Sequence, residues 1–166
     1  MQAGVTLIEL MIVVVIAAIM AAVAAPSFAN FIQNTRLTST MAQLTGDLNR
    51  ARSEAIKRNS RILVCAHEVN GTACASTSWD NGWLVCYDGD QNSACDPAPA
   101  DGTDPNPMII RQAINSRLDL TGTAATVQFN PNGTANAQAI LALCCLSAAP
   151  YASSAVVAVT GHISKK

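Results

Sequence analysis

The chain opens on an unbroken apolar run. From Val5 to Ala25 it reads VTLIELMIVVVIAAIMAAVAA, and Glu9 is its only charge. At about 1.5 Å of rise per residue, a helix of this length spans the hydrocarbon core of a bilayer. A carboxylate near one end of such a run is costly unless it is paired. Pro26 follows, removes one helical hydrogen bond and predicts a kink. From Ser27 to Asn59 the pattern turns amphipathic. Leu37, Met41, Leu44, Leu48, Ala51 and Ala55 recur at three- and four-residue spacing and form one stripe, which predicts a helix packed on a sheet. Arg36, Asn49, Arg50, Arg52, Ser53 and Lys57 lie largely off that stripe, as expected of a solvated face.

Past Asn59 the period shortens. Arg61–Cys65, Gly82–Tyr87, Met108–Ile114, Thr126–Phe129, Ala139–Leu143 and Ala155–Val159 read as strands separated by Gly, Pro, Asn and Asp. Asn130-Pro131-Asn132-Gly133 is a strong turn signal. Short strands joined by tight turns favour antiparallel pairing. The predicted fold class is α+β: one long N-terminal helix whose second half packs on an antiparallel sheet domain. No internal repeat is visible.

Composition sharpens this picture in two places. Half of the 166 residues are hydrophobic but only 4% are aromatic, and the excess sits in the first run. The formal charge of −1 supplies no global field for nucleic acid or acidic lipid. The six cysteines, Cys65, Cys74, Cys86, Cys95, Cys144 and Cys145, are an even set without a Cys-x-x-Cys pair, and with only two histidines available a structural zinc site is not expected. They point to disulfides and an oxidising compartment. Cys65 and Cys74 lie nine apart around Gly71, and Cys86 and Cys95 share that spacing, so these are the expected pairs. Cys144 and Cys145, adjacent in a strand, would point to opposite faces and are left unpaired.

Three readings of the N-terminus compete. A secretory signal cut near Ala25 fits poorly: Met1–Gly4 carries no Lys or Arg, the apolar run is long, and Pro26 would follow the cut. A plain anchor leaves Glu9 unpaired. The third reading rests on Gly4-Val5-Thr6-Leu7-Ile8-Glu9, which resembles the signal of type IV prepilins. That resemblance implies cleavage between Gly4 and Val5 by a prepilin peptidase, N-methylation of Val5, and pairing of Glu9 with the terminal amine of a neighbouring subunit. Such pairing offsets the desolvation of both charges and makes Glu9 a register device. The leader MQAG lacks the usual basic residues, and Val5 stands where phenylalanine is more common.

Arg52-Ser53-Glu54-Ala55-Ile56-Lys57-Arg58, Cys65 and Cys74 ahead of Trp79-Asp80-Asn81-Gly82-Trp83, Phe129-Asn130-Pro131-Asn132-Gly133 and Thr160-Gly161-His162 narrow the resemblance to the GspH/FimT family of minor pilins and pseudopilins. It implies a leader at 1–4, a transmembrane and assembly helix at 5–26, and a periplasmic pilin domain at 27–166. It also implies a single-pass protein of the bacterial inner membrane, incorporated into a pilus or pseudopilus, with other pilin or pseudopilin subunits as partners. The function expected is that of a minor pilin of a type IV pilus; the rivals are a minor pseudopilin of type II secretion and a DNA-binding pilin.

No catalytic set, cofactor motif or metal set is expected, and His67 reads as an ordinary residue at a strand end. Trp79 and Trp83 are expected to pack over a small core. Asp88-Gly89-Asp90-Gln91-Asn92 imitates the opening of a calcium loop, but Ser93 and Pro99 replace the glycine and glutamate of an EF-hand; it reads as an acidic hairpin tip, with Asp96, Asp101 and Asp104 near it in sequence. DNA-binding relatives resemble one another in a C-terminal Gly-Arg-x-Arg segment. Here Gly161-His162-Ile163-Ser164 lacks both arginines, so weak or absent DNA binding is expected, with any contact made by Lys165 and Lys166 on a flexible tail.

Overall fold

The computed structural model describes residue 4 and residues 6–97, 105–145 and 152–166, the side chains of 23–27 and 145 excepted. The element order is α1 (Leu7–Arg58), β1 (Arg61–Ala66), a 3-10 turn (Trp79–Asn81), β2 (Trp83–Asp88), β3 (Ile109–Ile110), β4 (Leu118–Gly122), β5 (Thr126–Phe129), β6 (Ala139–Cys145), β7 (Ser153–Val157) and β8 (Ile163–Lys165). By contacts the chain divides into Met1–Arg36 and Leu37–Lys166.

In the first unit the described large apolar side chains of α1 are exposed, from Leu7 through Met20 and again at Phe28 and Phe31. No described residue covers them. Pro26 lies within α1. The second unit begins where the amphipathic stripe begins. Leu37, Met41, Leu44, Leu48, Ala51 and Ala55 are all buried, as their spacing predicts. Fully burying a side chain the size of Met41, Leu44 or Leu48 contributes about 1.5–3 kcal/mol.

The stripe packs on two antiparallel sheets, ordered β3-β2-β1-β5 and β4-β6-β7-β8 among the described residues. On the first sheet Ile62, Val64, Ala66, Trp83, Val85, Val127 and Phe129 face the helix. The second sheet adds Leu118, Leu120, Leu141, Leu143, Ala155 and Val157 to that same core. Alternation puts Leu63, Cys65, Leu84 and Cys86 on the opposite face of the first sheet, in a second, smaller cluster.

The expected strands differ from the observed ones in definite ways. Met108–Ile114 shrinks to Ile109–Ile110, because the chain leaves the sheet edge and Arg111 turns to Asp47. Two strands escaped the reading, β4 and β8. Leu118-Asp119-Leu120 alternates over only three residues, and Ile163-Ser164-Lys165 has one apolar residue, too little period for either to stand out. The tail expected to be flexible is therefore a paired strand. Ala155 registers with Lys165, and Ser154 and Lys166 exchange both backbone hydrogen bonds.

Candidate functional site: the capped N-terminus and the motif cluster of the sheet domain

The first site residues lie at the start of α1. Gly4 is exposed, and Val5, the expected cut and methylation position, lies outside the described residues. Thr6 precedes the helix and forms a reciprocal cap with Glu9. The Glu9 backbone N–H donates to Thr6 Oγ1 at 3.3 Å, and the Thr6 N–H donates to Glu9 Oε2 at 3.4 Å. The Thr6 hydroxyl donates to the same carboxylate oxygen at 3.3 Å. This is a capping box, Thr-x-x-Glu, which satisfies two orphan donors of the helix start and sets a negative charge at its positive end. It is spelled out in the sequence and was missed because the apolar run drew the reading. Every one of these bonds involves atoms downstream of Val5. Among the described residues, no helix is long and apolar enough to cross a membrane. The apolar run of the sequence continues to Ala25, past Ala22, the last described side chain of that stretch.

The second set ties the sheet domain together. Arg52, expected on the solvated face, is half-buried. Its Nε donates to the Gly133 carbonyl at 2.9 Å, and its Nη2 reaches the Thr160 carbonyl at 3.4 Å. Gly133 closes the turn that starts at Asn130, with φ 78°. Gly161, φ 77°, lies so near it that a Cβ there would stand 1.8 Å from the Gly133 carbonyl oxygen. Three motifs far apart in sequence thus meet at one guanidinium.

The tryptophan motif is equally structural. Trp79 and Trp83 are buried, as expected. Trp79 Nε1 donates to the Ala124 carbonyl at 3.0 Å, and the Asp80 carboxylate accepts the Leu120 N–H at 2.7 Å. Gly82, φ 103°, passes so close to the Arg111 carbonyl that no side chain fits there. Trp83 Nε1 donates to Asp47 Oδ2 at 2.9 Å, and Arg111 meets both oxygens of Asp47 at 2.8 and 3.0 Å. Asp47, on the buried side of α1, was missed by the sequence reading. Its signal was a carboxylate next to Leu48 in an otherwise apolar stripe. The hydrogen bond with Asp47 raises the Arg111 pKa. At the helix end, the hydrogen bond from Arg58 holds the Glu54 carboxyl below its ordinary value. His67 is buried, with Nε2 2.8 Å from the Arg111 carbonyl oxygen.

Cys65 is bonded to Cys74 and Cys86 to Cys95, so the two bridges lie side by side on the outer face of the first sheet. Cys74 Sγ stands 3.5 Å from Cys95 Sγ. A metal needs thiolates, and these four sulfurs are already joined in pairs. Cys144 is exposed on β6; the Cys145 side chain, and with it the pairing expectation for these two, lies outside the described residues. Lys165, at the end of β8, and Lys166 are both exposed.

Residues 40–161 match the family described as Type II transport protein GspH. This chain belongs to the GspH family. Residues 1–25 of the GspH-family chain match the prokaryotic N-terminal methylation motif. No curated protein matches it. Two crystal structures of the type IV minor pilin FimU of Pseudomonas aeruginosa PAO1 are similar to it. One is 18% identical over 82% of this chain and 92% of that one, with a TM-score of 0.59. The other is 18% identical over 78% and 91%, with a TM-score of 0.56. The GspH-family chain thus has the type IV pilin fold, a long N-terminal helix with antiparallel sheets.

Proposed function

We propose that this protein is a minor pilin of a type IV pilus, a structural subunit with no catalytic role. Its apolar helix enters the bacterial inner membrane as a single pass, with the sheet domain in the periplasm, and later packs among the helices of neighbouring pilins. The observation that carries this reading is the exposed apolar face of α1, headed by a lone carboxylate inside a methylation motif. A soluble domain would not leave such a face bare, since large exposed apolar patches mark interaction or membrane surfaces.

A prepilin peptidase cuts between Gly4 and Val5 in this account, and the Val5 amine is methylated. Glu9 keeps its cap on Thr6 through the cut, because that cap uses no atom of the leader. In the filament the carboxylate then meets the Val5 amine of a neighbour, which offsets two desolvation costs at once. The family description keeps one rival in view, a minor pseudopilin of type II secretion.

Mass spectrometry of the membrane-extracted protein tests the reading, with a mature N-methylated terminus at Val5 expected. A terminus at Pro26 or Ser27 would overturn it in favour of an ordinary secreted domain. Glu9→Ala should stay in the membrane fraction but fall at least about tenfold in sheared filaments, the loss of a desolvated charge pair. Deletion of the gene, scored separately for twitching and for secretion, separates the pilus from the pseudopilus.

A further inference from the structure

The loop that leaves β2 brings three carboxylates together. One oxygen from each of Asp88, Asp90 and Asp96 lies within 4.8 Å of one from each of the others. Asp88 is wholly buried at the end of β2, and its Oδ1 has no hydrogen-bond partner among the described residues. Its other oxygen accepts from the Ser93 N–H at 3.2 Å and from Arg61 Nη1 at 3.3 Å. A buried carboxylate oxygen without a donor is costly, and a protein tolerates it where something else supplies positive charge. Arg61 supplies part of it, on one oxygen only.

The rest of the loop is held in place before any ligand arrives. The Cys86–Cys95 bridge closes it at the base. Asn106 clamps the same base from outside: it donates to the carbonyls of Tyr87 and Asp96, at 3.1 and 2.6 Å, and accepts the Tyr87 N–H at 2.9 Å. Asp96 is fixed by the Gly89 N–H at 2.7 Å, and Asp90 by Asn92. Asp90 and Asp96 also border a surface pocket shared with Arg58, Tyr87 and Asn106, which leaves room for water beside the cluster.

We propose that Asp88, Asp90 and Asp96 form a calcium site on this loop. The donors are hard oxygens of irregular arrangement, which suits an ion that takes six to eight oxygens in flexible geometry. Magnesium demands a near-ideal octahedron and gives up its water reluctantly, so it fits less well. Asp88, Asp90 and Asp96 fall at the first, third and ninth positions of an EF-hand count. Ser93 holds the sixth, where glycine makes the sharp turn, with φ 68°. The twelfth position is Pro99 rather than a bidentate glutamate. The site therefore belongs with the weak extracytoplasmic class, with Kd about 10⁻⁴–10⁻³ M.

Calorimetry and thermal melts of the full chain in detergent micelles, disulfides intact, test this with calcium chloride and with magnesium chloride. Calcium should bind at one site and raise Tm by about 5 °C at roughly a hundredfold excess over Kd. Asp90→Asn and Asp96→Asn should each weaken calcium binding at least about tenfold while melting near the parent temperature without the ion. Arg61→Gln should bind calcium more tightly, since a competing cation leaves Asp88. No heat and no Tm shift in the parent chain would overturn the site. So would calcium binding that ignores both asparagine variants, an equal response to magnesium, or weaker binding by Arg61→Gln.

Discussion

Asp47 ties α1 to Trp83 and Arg111. It is almost wholly buried, receives the Trp83 indole N–H, and holds Arg111 through both oxygens. Removing one partner of such a set strands the others, and breaking a buried pair costs about 3–5 kcal/mol. Arg111 keeps some contact with water, so Asp47→Ala should cost less, about 2–4 kcal/mol, read from denaturant midpoints at unchanged m-value. A loss under about 0.5 kcal/mol, the range of an indifferent surface change, would show that water replaces the carboxylate without penalty. Arg52 teaches the complementary lesson. Helical spacing placed it off the stripe, and a residue at that angle is normally solvated. Here two turns from distant parts of the chain rise to meet it, and no local pattern announces an acceptor supplied by a carbonyl 81 residues away. The capping box of Thr6 and Glu9, by contrast, is written in four letters, and went unread only because the apolar run around it dominates the pattern.

At the level of elements, the stripe on α1 was readable because six apolar residues repeat at one period. β1, β2 and β5 were readable because their residues are β-branched, aromatic or buried on both faces. β4 and β8 were not, since pairing partners rather than composition make them strands. β8 changes how the terminal lysines must be judged. Lys165 and Lys166 alternate across a paired strand, so they cannot both reach one phosphate run as a loose tail would. Duplex DNA should bind weakly, with a salt slope no steeper than about −1, the value for one phosphate contact, and changing both lysines to alanine should abolish what remains. A steep slope in a salt-titrated mobility shift would place the basic surface elsewhere, on the exposed Arg36, Arg50 and Lys57 of α1. The end of α1 also carries a small pH dependence. Arg58, at 2.8 Å, holds the Glu54 carboxyl below its ordinary value. A depressed carboxylate stabilises the fold above its unfolded pKa, and that contribution is lost as pH falls through the folded value. Glu54→Gln should therefore cost under about 1 kcal/mol at neutral pH, as partly exposed pairs do, and nothing at acid pH below both values. Chemical denaturation at both pH values checks this.

The whole molecule is two units of opposite character. One keeps its apolar side chains bare, and the other buries a core shared by a helix stripe and two sheets. Both were legible in outline, since a bare apolar run and an amphipathic stripe differ in period as well as in content. What the sequence could not convey is where distant loops meet, because loop encounters follow from topology. The paired bridges on the outer face have one further consequence, which concerns mechanics. In the filament role proposed above, a load on the subunit would be felt along its chain. Each bridge spans nine positions with its ends 5.5 Å apart. Those positions would otherwise extend to about 30 Å, so each bridge withholds roughly 25 Å of slack and the two together about 50 Å. Stretched singly between Leu37 and Lys166, the oxidised domain should yield a contour length about 50 Å shorter than the reduced one.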